Sequence, residues 1–545
     1  MTLPTKRGGG VRVASMTVHD EGNNAYRTGY LYTQSGQRAG TTSGVVAQEP
    51  PLVKTVEYPF YSLYDFPNTP VLYAKVTVVD GMKSDTDFTQ KTEYTFNTPT
   101  QNCVSVSSSA IVDNLNWGGY YGTTIQDSKL FNFDVQNHSA QVGRIESIRT
   151  IDNAAVTTGQ IDFGYTEQLP NNQGKFTSGS MICEVAQGPN RTDTNHFKLS
   201  RTTKTAYPNV LTSVRTTSNG VTTVKNNTAW DFLTGAVLQE DETHADGNTY
   251  QTTSVPAYTQ YPEMRSKAES ITNKNMLSQS ASSAVYKLNS SRVPTTLMSA
   301  GVQTWNKNWN TYRQYNAATA QYEAETNPTP VWRKHKSYRW ANNRPDAQGG
   351  TPVADFTAFN WAAGASQVPN WNKDVEVTQY DHFSNPLEIS DLNGDFVARK
   401  YGHNQTQVMA QAINAKYTEL AYSGAEDLTS WGHFGGEVRD AGLRSPAPAP
   451  VHTGLYSSKL MPGQMGFTYK AIVGSEVLPG RAYRVSAWLY SSNVNVANGK
   501  IYARVNNNMA GTQLAEARIN STNTKKAGNW YLLSFDVTVP ANASG

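Results

Sequence analysis

Short segments that alternate apolar and polar residues, each ending in a turn sequence, run through almost the whole chain. The stretch PVLYAKVTVVDGMK alternates cleanly and closes on Asp80-Gly81, while RTTSNGVTTV places Thr and Val strands on both sides of Asn219-Gly220. Period-two alternation predicts β-strands, and Asp-Gly or Asn-Gly between two of them predicts a tight hairpin. The fold class predicted from this pattern is all-β, and the building block is the hairpin.

The composition agrees with an all-β prediction. The chain has 30 Tyr residues against 17 Phe, and only 16% of its 545 residues are charged. Tyrosine suits a strand with one wet face, because the ring packs while the hydroxyl group reaches water. Only two segments have a helical pattern, residues 317–325 and 404–417, and the sequence predicts a short helix in each.

One stretch, VTQYDHFSNPLEISDLNGDFVARKYG at residues 377–402, has a pattern that recurs in the chain. An aromatic residue followed by Asp opens each copy, a Gly or Asn turn and an apolar alternation follow, and a second turn leads to another aromatic residue. A weaker copy begins at Tyr286. The residues that define this predicted repeat are Phe133, Asp134, Trp230, Asp231, Gly235, Tyr380, Asp381, Gly394 and Tyr401.

A single hairpin of this kind cannot bury its own apolar face, so stacking of neighbouring hairpins into one continuous sheet is expected. In each copy the Asp side chain is expected to accept hydrogen bonds from backbone N–H groups of the following turn. Four tryptophans that lie close together in the sequence are expected to pack as a plug or as a core between strands: Trp305, Trp309, Trp332 and Trp340.

The repeat resembles that of the YD-repeat, or Rhs, family, whose animal relatives include the teneurins. The phrases KRGGGVRVASM, YPFYSLYDFPNTPVLYAKVTVVD, NKNMLSQSASSAVY and HKSYRW precede YDHFSNPLE in the order in which large secreted bacterial members carry them. The resemblance covers residues 1–419 and implies a spiral β-sheet shell. The family's Asp-rich autoproteolytic ending, which precedes a toxin, is not visible in this sequence.

The pattern changes near residue 420, and residues 420–545 resemble a carbohydrate-binding type of jelly roll that lacks its closing strand. The Pro/Ala-rich stretch from Ala441 to Gly454 is then a loop inside this β-sandwich; the alternative interpretation is a linker. Alternation places Trp488 and Tyr490 on one face of a strand and opposes Trp530 to Tyr531. These four aromatic residues are candidates for a sugar-stacking site.

Metal binding and catalysis find little support in the sequence. Asp391, Asn393 and Asp395 have the spacing of a calcium loop, but Gly402 occupies the twelfth position, where a bidentate Glu is needed, so a hairpin turn is the favoured interpretation. No metal-protease, nucleophile-elbow, phosphate-loop or dinucleotide motif is present. A carboxylate pair for glycoside hydrolysis depends on spatial distance and cannot be assigned from sequence. The predictions are therefore no catalytic residue, no cofactor and no metal.

Charge and hydropathy restrict which classes of binding partner the chain is expected to have. The net charge is +3 and no run of Lys or Arg occurs, which argues against nucleic-acid binding. No apolar run approaches the roughly 18 residues that a membrane span requires. A signal peptide is not recognisable at the start, so a signal upstream of this piece and a secreted or cell-surface location are expected. Cys103 and Cys183 are interpreted as isolated thiols, with a disulfide as the alternative.

The leading hypothesis is a non-enzymatic fragment of a large YD-repeat protein that encloses cargo or a toxin, or serves adhesion at the cell surface. Its partners would be the rest of its own longer chain. The first alternative is a carbohydrate-binding adhesin, or an accessory protein of glycan degradation, that acts through the C-terminal β-sandwich. The second alternative is a secreted β-hydrolase.

Overall fold

The chain is almost entirely β-structure in the computed structural model. The structure describes residues 11–22, 24–46, 71–83, 87–98, 103–112, 129–169, 176–178, 184–186, 198–309, 313–316, 321–324, 330–342, 345–346, 349–362, 369–403, 406–426, 433–434, 438–440, 443–446, 449–493, 499–505, 511–519 and 525–543. Cys183 lies outside the described residues, and Cys103 is buried, with Gln141 Nε2 3.8 Å from its sulfur.

The strands of the described residues are short to medium in length. In chain order they are β1 (Ser15–His19), β2 (Ala25–Leu31), β3 (Gly44–Val46), β4 (Val71–Tyr73), β5 (Lys75–Asp80), β6 (Gln90–Phe96), β7 (Val104–Val112), β8 (Lys129–Asn137), β9 (Ile145–Asp152), β10 (Thr157–Thr166), β11 (Phe176–Ser178), β12 (Glu184–Ala186), β13 (Lys198–Ala206), β14 (Val210–Ser218), β15 (Val221–Trp230), β16 (Val237–Thr243), β17 (Thr249–Pro256), β18 (Ser280–Leu288), β19 (Pro294–Asn306), β20 (Arg313–Asn316), β21 (Gln321–Ala324), β22 (Arg333–Trp340), β23 (Thr351–Pro352), β24 (Trp371–Tyr380), β25 (Pro386–Asp391), β26 (Phe396–Gly402), β27 (Gln407–Ile413), β28 (His433–Phe434), β29 (Val438–Asp440), β30 (Leu443–Pro446), β31 (Tyr456–Lys459), β32 (Phe467–Tyr469), β33 (Ala482–Tyr490), β34 (Lys500–Arg504), β35 (Gln513–Arg518), β36 (Lys526–Ala527) and β37 (Trp530–Thr538).

Helical structure in the same residues is limited to single turns. One α-helical turn, α1, spans Ala257–Gln260, and 3-10 turns span Ser139–Gln141, Pro262–Met264, Val353–Asp355 and Tyr417–Glu419. The predicted helix at residues 404–417 is wrong, because its centre forms strand β27, which pairs with β26. The predicted helix at residues 317–325 is also wrong where the chain is described, because Gln321–Ala324 pairs with β20.

One sheet of eighteen strands dominates the fold. Its antiparallel pairings follow the chain: β1 with β2, then β5, β6, β9, β10, β14 to β19, β22 and β24 to β27. The remaining strand, β23, pairs with the N-terminal part of β19, and β22 pairs with the C-terminal part of β19. The sheet is therefore a long meander, in which most strands pair with the strands before and after them in the sequence.

The turn signals in the sequence explain the meander locally. Asn219 and Gly220 have φ angles of 49° and 81° between β14 and β15, as a two-residue hairpin with matching twist requires. Gly81, with φ of 64°, follows β5 and precedes its partner β6. The tight hairpin predicted at Asn219-Gly220 is confirmed. At Asp80-Gly81 the two strands do pair, but Asp80 lies opposite Gln90, so a longer connection replaces the predicted tight turn.

Two excursions leave the meander and form a second sheet. Strands β7 and β8 come from the chain between β6 and β9, and β11, β12 and β13 come from the chain between β10 and β14. They join through a parallel pairing of β8 with β13, which is the one parallel pairing between the named strands. Parallel pairing needs a long connection between the two strands, and the intervening β9 and β10 hairpin provides it.

Aromatic side chains cover one part of the large sheet. Leu297, Val302, Tyr338, Trp340 and Trp371 form a buried cluster on β19, β22 and β24, and the loop that carries Phe356, Phe359 and Trp361 packs against it. A second cluster centres on Met264, which is fully buried beneath Trp305 and Trp332. Loops after β17 and β22 thus supply cores that the strands alone do not form.

Elsewhere the same sheet carries paired charges. Glu93 on β6 lies opposite Arg149 on β9 and Thr77 on β5, and it contacts both Lys75, at 2.9 Å, and Arg149. Burial alone would raise the pKa of Glu93, but the hydrogen bonds from Lys75 and Arg149 lower it overall. A buried carboxylate with two cationic partners stabilises the register of three neighbouring strands.

The described residues after 420 form four small sheets. β33 pairs with β37 along its whole length, and β36 adds to the other edge of β37. The hairpin β34–β35 lies beside β37, while β28, β29 and β32 form a sheet and β30 pairs with β31.

Candidate functional site at the repeat turns

Four of the turns between strands are built identically. In the turn that begins at Asp391, the backbone N–H groups of Asn393 and Asp395 donate to Asp391 Oδ1 at 2.8 and 2.9 Å. The backbone of Asp391 also exchanges hydrogen bonds with Asp395 and Gly394. The same set of contacts occurs in the turns that begin at Asp152, Asn289 and Asp381.

This five-residue turn explains the sequence pattern around it. The first residue needs a side-chain oxygen, which is why Asp or Asn occupies it. The fourth residue has a positive φ, 83° at Gly394 and 73° at Ser384, and this conformation creates the bulge of a three-residue hairpin loop. The spacing of Asp391, Asn393 and Asp395 therefore serves a hairpin turn, as favoured from the sequence, and Asp391 Oδ1 is engaged by backbone donors.

The aromatic-Asp pairs differ from the other turns in their burial. Asp381 and Asp231 are both 6% exposed, whereas Asp391 and Asp152 are partly open to solvent. Asp381 accepts three hydrogen bonds, from the backbone N–H groups of Phe383 and Asn385 and from Asn385 Nδ2 at 2.9 Å. A buried carboxylate is tolerable only with such partners, so Asp381 is tied to this turn.

An aromatic-Asp pair together with the turn that follows it is here called a corner. The corner at Tyr380 and Asp381 contacts strands that are distant in sequence. The Tyr380 hydroxyl group donates to the Lys334 carbonyl at 2.7 Å, and Trp309 meets the Tyr380 ring edge-on at 4.8 Å between centroids. The Arg333 guanidinium lies over the same ring and donates to Ser384 Oγ at 2.9 Å. Burial raises the pKa of Tyr380 to about 12, and the nearby Arg333 charge opposes the rise.

The corner at Trp230 and Asp231 uses a longer turn. Asp231 Oδ1 accepts from the Leu233 N–H, Asp231 Oδ2 accepts from the Thr234 hydroxyl at 2.6 Å, and the Asp231 N–H donates to the Ala236 carbonyl. Gly235 has a φ of 77°, and a Cβ there would meet nothing within 4 Å, so its role is conformational. Burial is the main cause that raises the pKa of Tyr258 to about 12, and Asp231 adds to it.

Phe133 and Asp134 do not occupy such a corner. Both lie within strand β8 of the second sheet, where Asp134 pairs with Ser107 and accepts from Gln136 Nε2 at 2.7 Å. An aromatic residue followed by Asp also fits inside a strand, so the two-residue pattern does not by itself specify a turn. The sequence grouped this pair with Tyr380-Asp381, and the structure places it in a different setting.

Tyr401 and Gly394 both belong to the hairpin that follows the Tyr380 corner. Gly394 takes the fourth position of the turn between β25 and β26, and Tyr401 lies near the end of β26. The Tyr401 hydroxyl group reaches back to the Pro386 carbonyl at 3.4 Å. The closing aromatic residue of the repeat thus contacts the segment just after the opening Asp.

Three buried charged residues of this region were not identified from the sequence, and one of them, Lys400 on β26, is 6% exposed. Arg333 is 8% exposed beneath Tyr380, and Glu388, in the phrase NPLE, is 5% exposed. Glu388 Oε1 accepts from the Thr378 hydroxyl at 2.6 Å, and Glu388 Oε2 accepts from the Tyr417 N–H at 2.7 Å. The sequence signal that could have identified Glu388 is its position directly after Leu387 and just beyond the turn that ends at Asn385.

The C-terminal aromatic candidates lie partly together. Tyr490 and Trp530 are paired residues on β33 and β37, with ring centroids 5.5 Å apart. His452 stacks on Trp488 at 4.1 Å and meets Trp530 edge-on. Tyr531, one residue further along β37, pairs with Leu489 and belongs to the opposite face. The aromatic cluster therefore consists of His452, Trp488, Tyr490 and Trp530, with Trp488 36% and Tyr490 42% exposed.

The described part of the chain has neither a cluster of metal-ligating side chains nor a helix suited to a membrane. No group of three His, Cys, Asp or Glu side chains in those residues has the geometry to hold a metal ion. No helix among them is both long and apolar enough to cross a bilayer.

The fold and the corners define an all-β protein with a long antiparallel meander pinned by buried aspartates. No family model matches the chain, and no curated protein matches it. Among solved structures it is similar to a chain of TcdB2-TccC3, at 9% identity and a TM-score of 0.24 over 95% of this chain and 29% of that one.

Two related solved structures give similar values. TcdB2-TccC3-TEV matches 75% of this chain and 22% of that one, at 10% identity and a TM-score of 0.26. TcdB2-TccC3-Cdc42 matches 78% of this chain and 24% of that one, at 8% identity and a TM-score of 0.28. This chain spans less than a third of the length of each.

Proposed function

We propose that this chain is a structural scaffold: a wall segment of a YD-repeat β-shell in a larger secreted or cell-surface protein, without enzymatic activity of its own. The carrying observation is the meander itself, in which the strands of the eighteen-stranded sheet pair mainly in chain order and buried aspartates fix two of the turns. Such a sheet grows by adding hairpins, as a repeat architecture does.

The burial of the strands supports a wall more than a solid core. Strands β9, β14 and β16 are mostly half-buried along their whole length, on both faces. A strand in a two-layer sandwich would alternate between buried and exposed residues. A wall that encloses cargo, including a toxin, or that displays an adhesive surface has two accessible faces, and this is the role we assign to residues 1–419.

A reconstruction of the purified chain by electron cryomicroscopy tests this proposal. We expect one curved sheet around a solvent-filled hollow, and substitution of both Asp231 and Asp381 by Ala should open it. Substitution of Asp391 by Ala, in an exposed turn of the same geometry, is the matched control and should leave the curvature unchanged. Separate compact lobes in the unmodified protein would contradict the proposal.

Glycan binding through the C-terminal region is a second candidate, because the aromatic cluster brings three of the four predicted aromatic residues together. Exposed Trp and Tyr rings offer apolar faces on which pyranose rings stack, and His452 covers one face of Trp488.

A glycan array with the full chain checks this second function. Replacement of Trp488 by Ala removes one ring on which a sugar can stack, and it should therefore weaken binding at least about tenfold. Replacement of Phe467, an exposed aromatic residue outside the cluster, should have no effect. An unmodified chain that binds nothing on the array would exclude adhesion by this route and leave the scaffold proposal intact.

A further inference from the structure

The segment that follows the last strand of the large sheet has an unusual set of contacts. Residues 414–420, here called the strap, leave β27 through Asn414, which has a φ of 57°, and turn back so that the Ala415 N–H donates to the Phe396 carbonyl of β26. The strap ends in a 3-10 turn, Tyr417–Glu419, closed by hydrogen bonds between Glu419 and Lys416. It is therefore an ordered element and not an extended linker.

On one side the strap is fixed to the large sheet. Glu388 of β25 accepts the Tyr417 N–H, and the ammonium group of Lys400 on β26 lies 3.6 Å from the centre of the Tyr417 ring. Tyr417 is 7% exposed, Glu388 5% and Lys400 6%. Two buried charges on neighbouring strands thus both contact one residue of the strap, and a buried charge is stable only while its partners stay in place.

On the other side the strap is fixed to the C-terminal region through Glu419, whose side chain is 2% exposed. Glu419 Oε1 accepts from the Tyr483 hydroxyl at 2.6 Å and from Arg481 Nη1 at 3.2 Å, while Glu419 Oε2 accepts the Lys416 N–H at 2.8 Å. Burial, followed by the hydrogen bond to Glu419, raises the pKa of Tyr483.

Further hydrogen bonds extend this contact along the strap. Arg481 Nη2 donates to the carbonyl of Asn414 at 2.6 Å and to Asn414 Oδ1 at 3.1 Å. The Tyr469 hydroxyl group donates to the Thr418 carbonyl at 3.3 Å. The guanidinium of Arg481 thus spans the strap from Asn414 to Glu419, and a planar group with several donors is suited to such multiple contacts.

We propose that the strap locks the C-terminal region onto the last hairpins of the large sheet through two buried carboxylates, Glu388 on the sheet side and Glu419 on the side of β33. The C-terminal region is then a fixed part of the wall and not a module on a flexible tether. Arg481 directly precedes β33, and β33 carries Trp488 and Tyr490. The strap therefore holds the aromatic cluster in one orientation relative to the large sheet.

Hydrogen exchange on the full chain tests the lock. In the unmodified protein the amides of Lys416 and Tyr417 should exchange slowly, because each is bonded to a buried carboxylate. In the variants Arg481→Met and Glu419→Ala both amides should exchange at least about tenfold faster, while the amides of the β33–β37 pair keep their protection. Tyr483→Phe, which removes one hydrogen bond, is a milder variant for the same measurement.

Arg484→Met is the matched control, because Arg484 lies only three residues further along the chain, on β33, but pairs with the exposed Asp536. Small-angle X-ray scattering of the same proteins should show a larger maximum dimension for Arg481→Met than for Arg484→Met. Equal exchange and equal scattering in these two variants would overturn the proposal, as would fast exchange of Tyr417 in the unmodified protein.

Discussion

At the scale of single residues, the Asp of the aromatic-Asp pair acts as the organiser of a turn. Asp381 accepts three hydrogen bonds while it is almost completely buried. The aspartates that begin the turns at Asp152 and Asp391 use the same acceptor geometry with more solvent around them. What sets the repeat residue apart is therefore its burial beside an aromatic ring, and not a different chemistry.

Replacement of Asp381 by Ala should be costly. It removes a carboxylate that is 6% exposed and leaves the backbone N–H groups of Phe383 and Asn385 without their acceptor, and we expect a loss of about 2–3 kcal/mol of local stability. Asp391→Ala, at an exposed turn, should cost less than about 1 kcal/mol. Hydrogen exchange of strands β24 and β25 measures both changes, and equal losses would contradict the role of burial.

Alkaline pH should loosen the Tyr380 corner. Burial raises the folded-state pKa of Tyr380 from 10.0 to about 12. The stabilisation that the neutral Tyr380 side chain gives to the folded state is therefore complete below pH 10 and is lost as the pH rises toward 12. A shift of two pKa units corresponds to about 2–3 kcal/mol. Hydrogen exchange of β22 and β24 between pH 8 and 11 should show this decline, and Tyr380→Phe should show a shallower one. A variant with the same slope would refute the assignment.

At the scale of elements, the hairpins were predictable and their environments were not. Alternation and Asn-Gly or Asp-Gly dipeptides are local signals, and the strands at β5 and at β14–β15 follow them. The segment that became β27 has good helix formers, but pairing with β26 outweighs that propensity. Arg333 lies beneath Tyr380 although 47 residues separate them, and no local pattern encodes such a contact.

The fourth position of the shared turn offers a paired test of backbone strain. Gly394 and Ala155 occupy it with φ of 83° and 61°, and a Cβ at Gly394 would meet nothing within 4 Å. Gly394→Ala should therefore destabilise by about 1 kcal/mol through conformation alone, and Ala155→Gly should stabilise by about 0.5–1 kcal/mol. Thermal unfolding of both variants checks this, and shifts of equal sign would contradict a common turn geometry.

At the scale of the whole molecule, the sheet lacks a single core. The aromatic clusters cover β17 to β24, whereas β5, β6 and β9 are joined through Lys75, Glu93 and Arg149. Each strand contacts mainly its neighbours, so stability is a sum of local contributions. The sequence predicts a repeat and a change of pattern near residue 420. It did not predict the strap, because the contacts of the strap to Glu388 and Arg481 join segments about 30 and 60 residues away.

We expect the chain to unfold in several steps for this reason. Chemical denaturation followed by tryptophan fluorescence, which reports on the aromatic clusters, should have a midpoint different from that of far-ultraviolet circular dichroism, which reports on all strands. The double variant Lys75→Met and Arg149→Met should shift only the circular dichroism transition. One coincident transition for both probes would show instead that the sheet is a single cooperative unit.

The order of strand pairing has a consequence for biosynthesis. In the meander from β14 to β19 each strand after the first pairs with the strand made before it, and only β18 follows its partner after a connection of more than twenty residues. A chain with this topology can acquire structure progressively as it emerges from a ribosome or a narrow export channel, since short loops close first. The exception is β8, which must wait until β13 has emerged, some sixty residues later, before its parallel edge is satisfied.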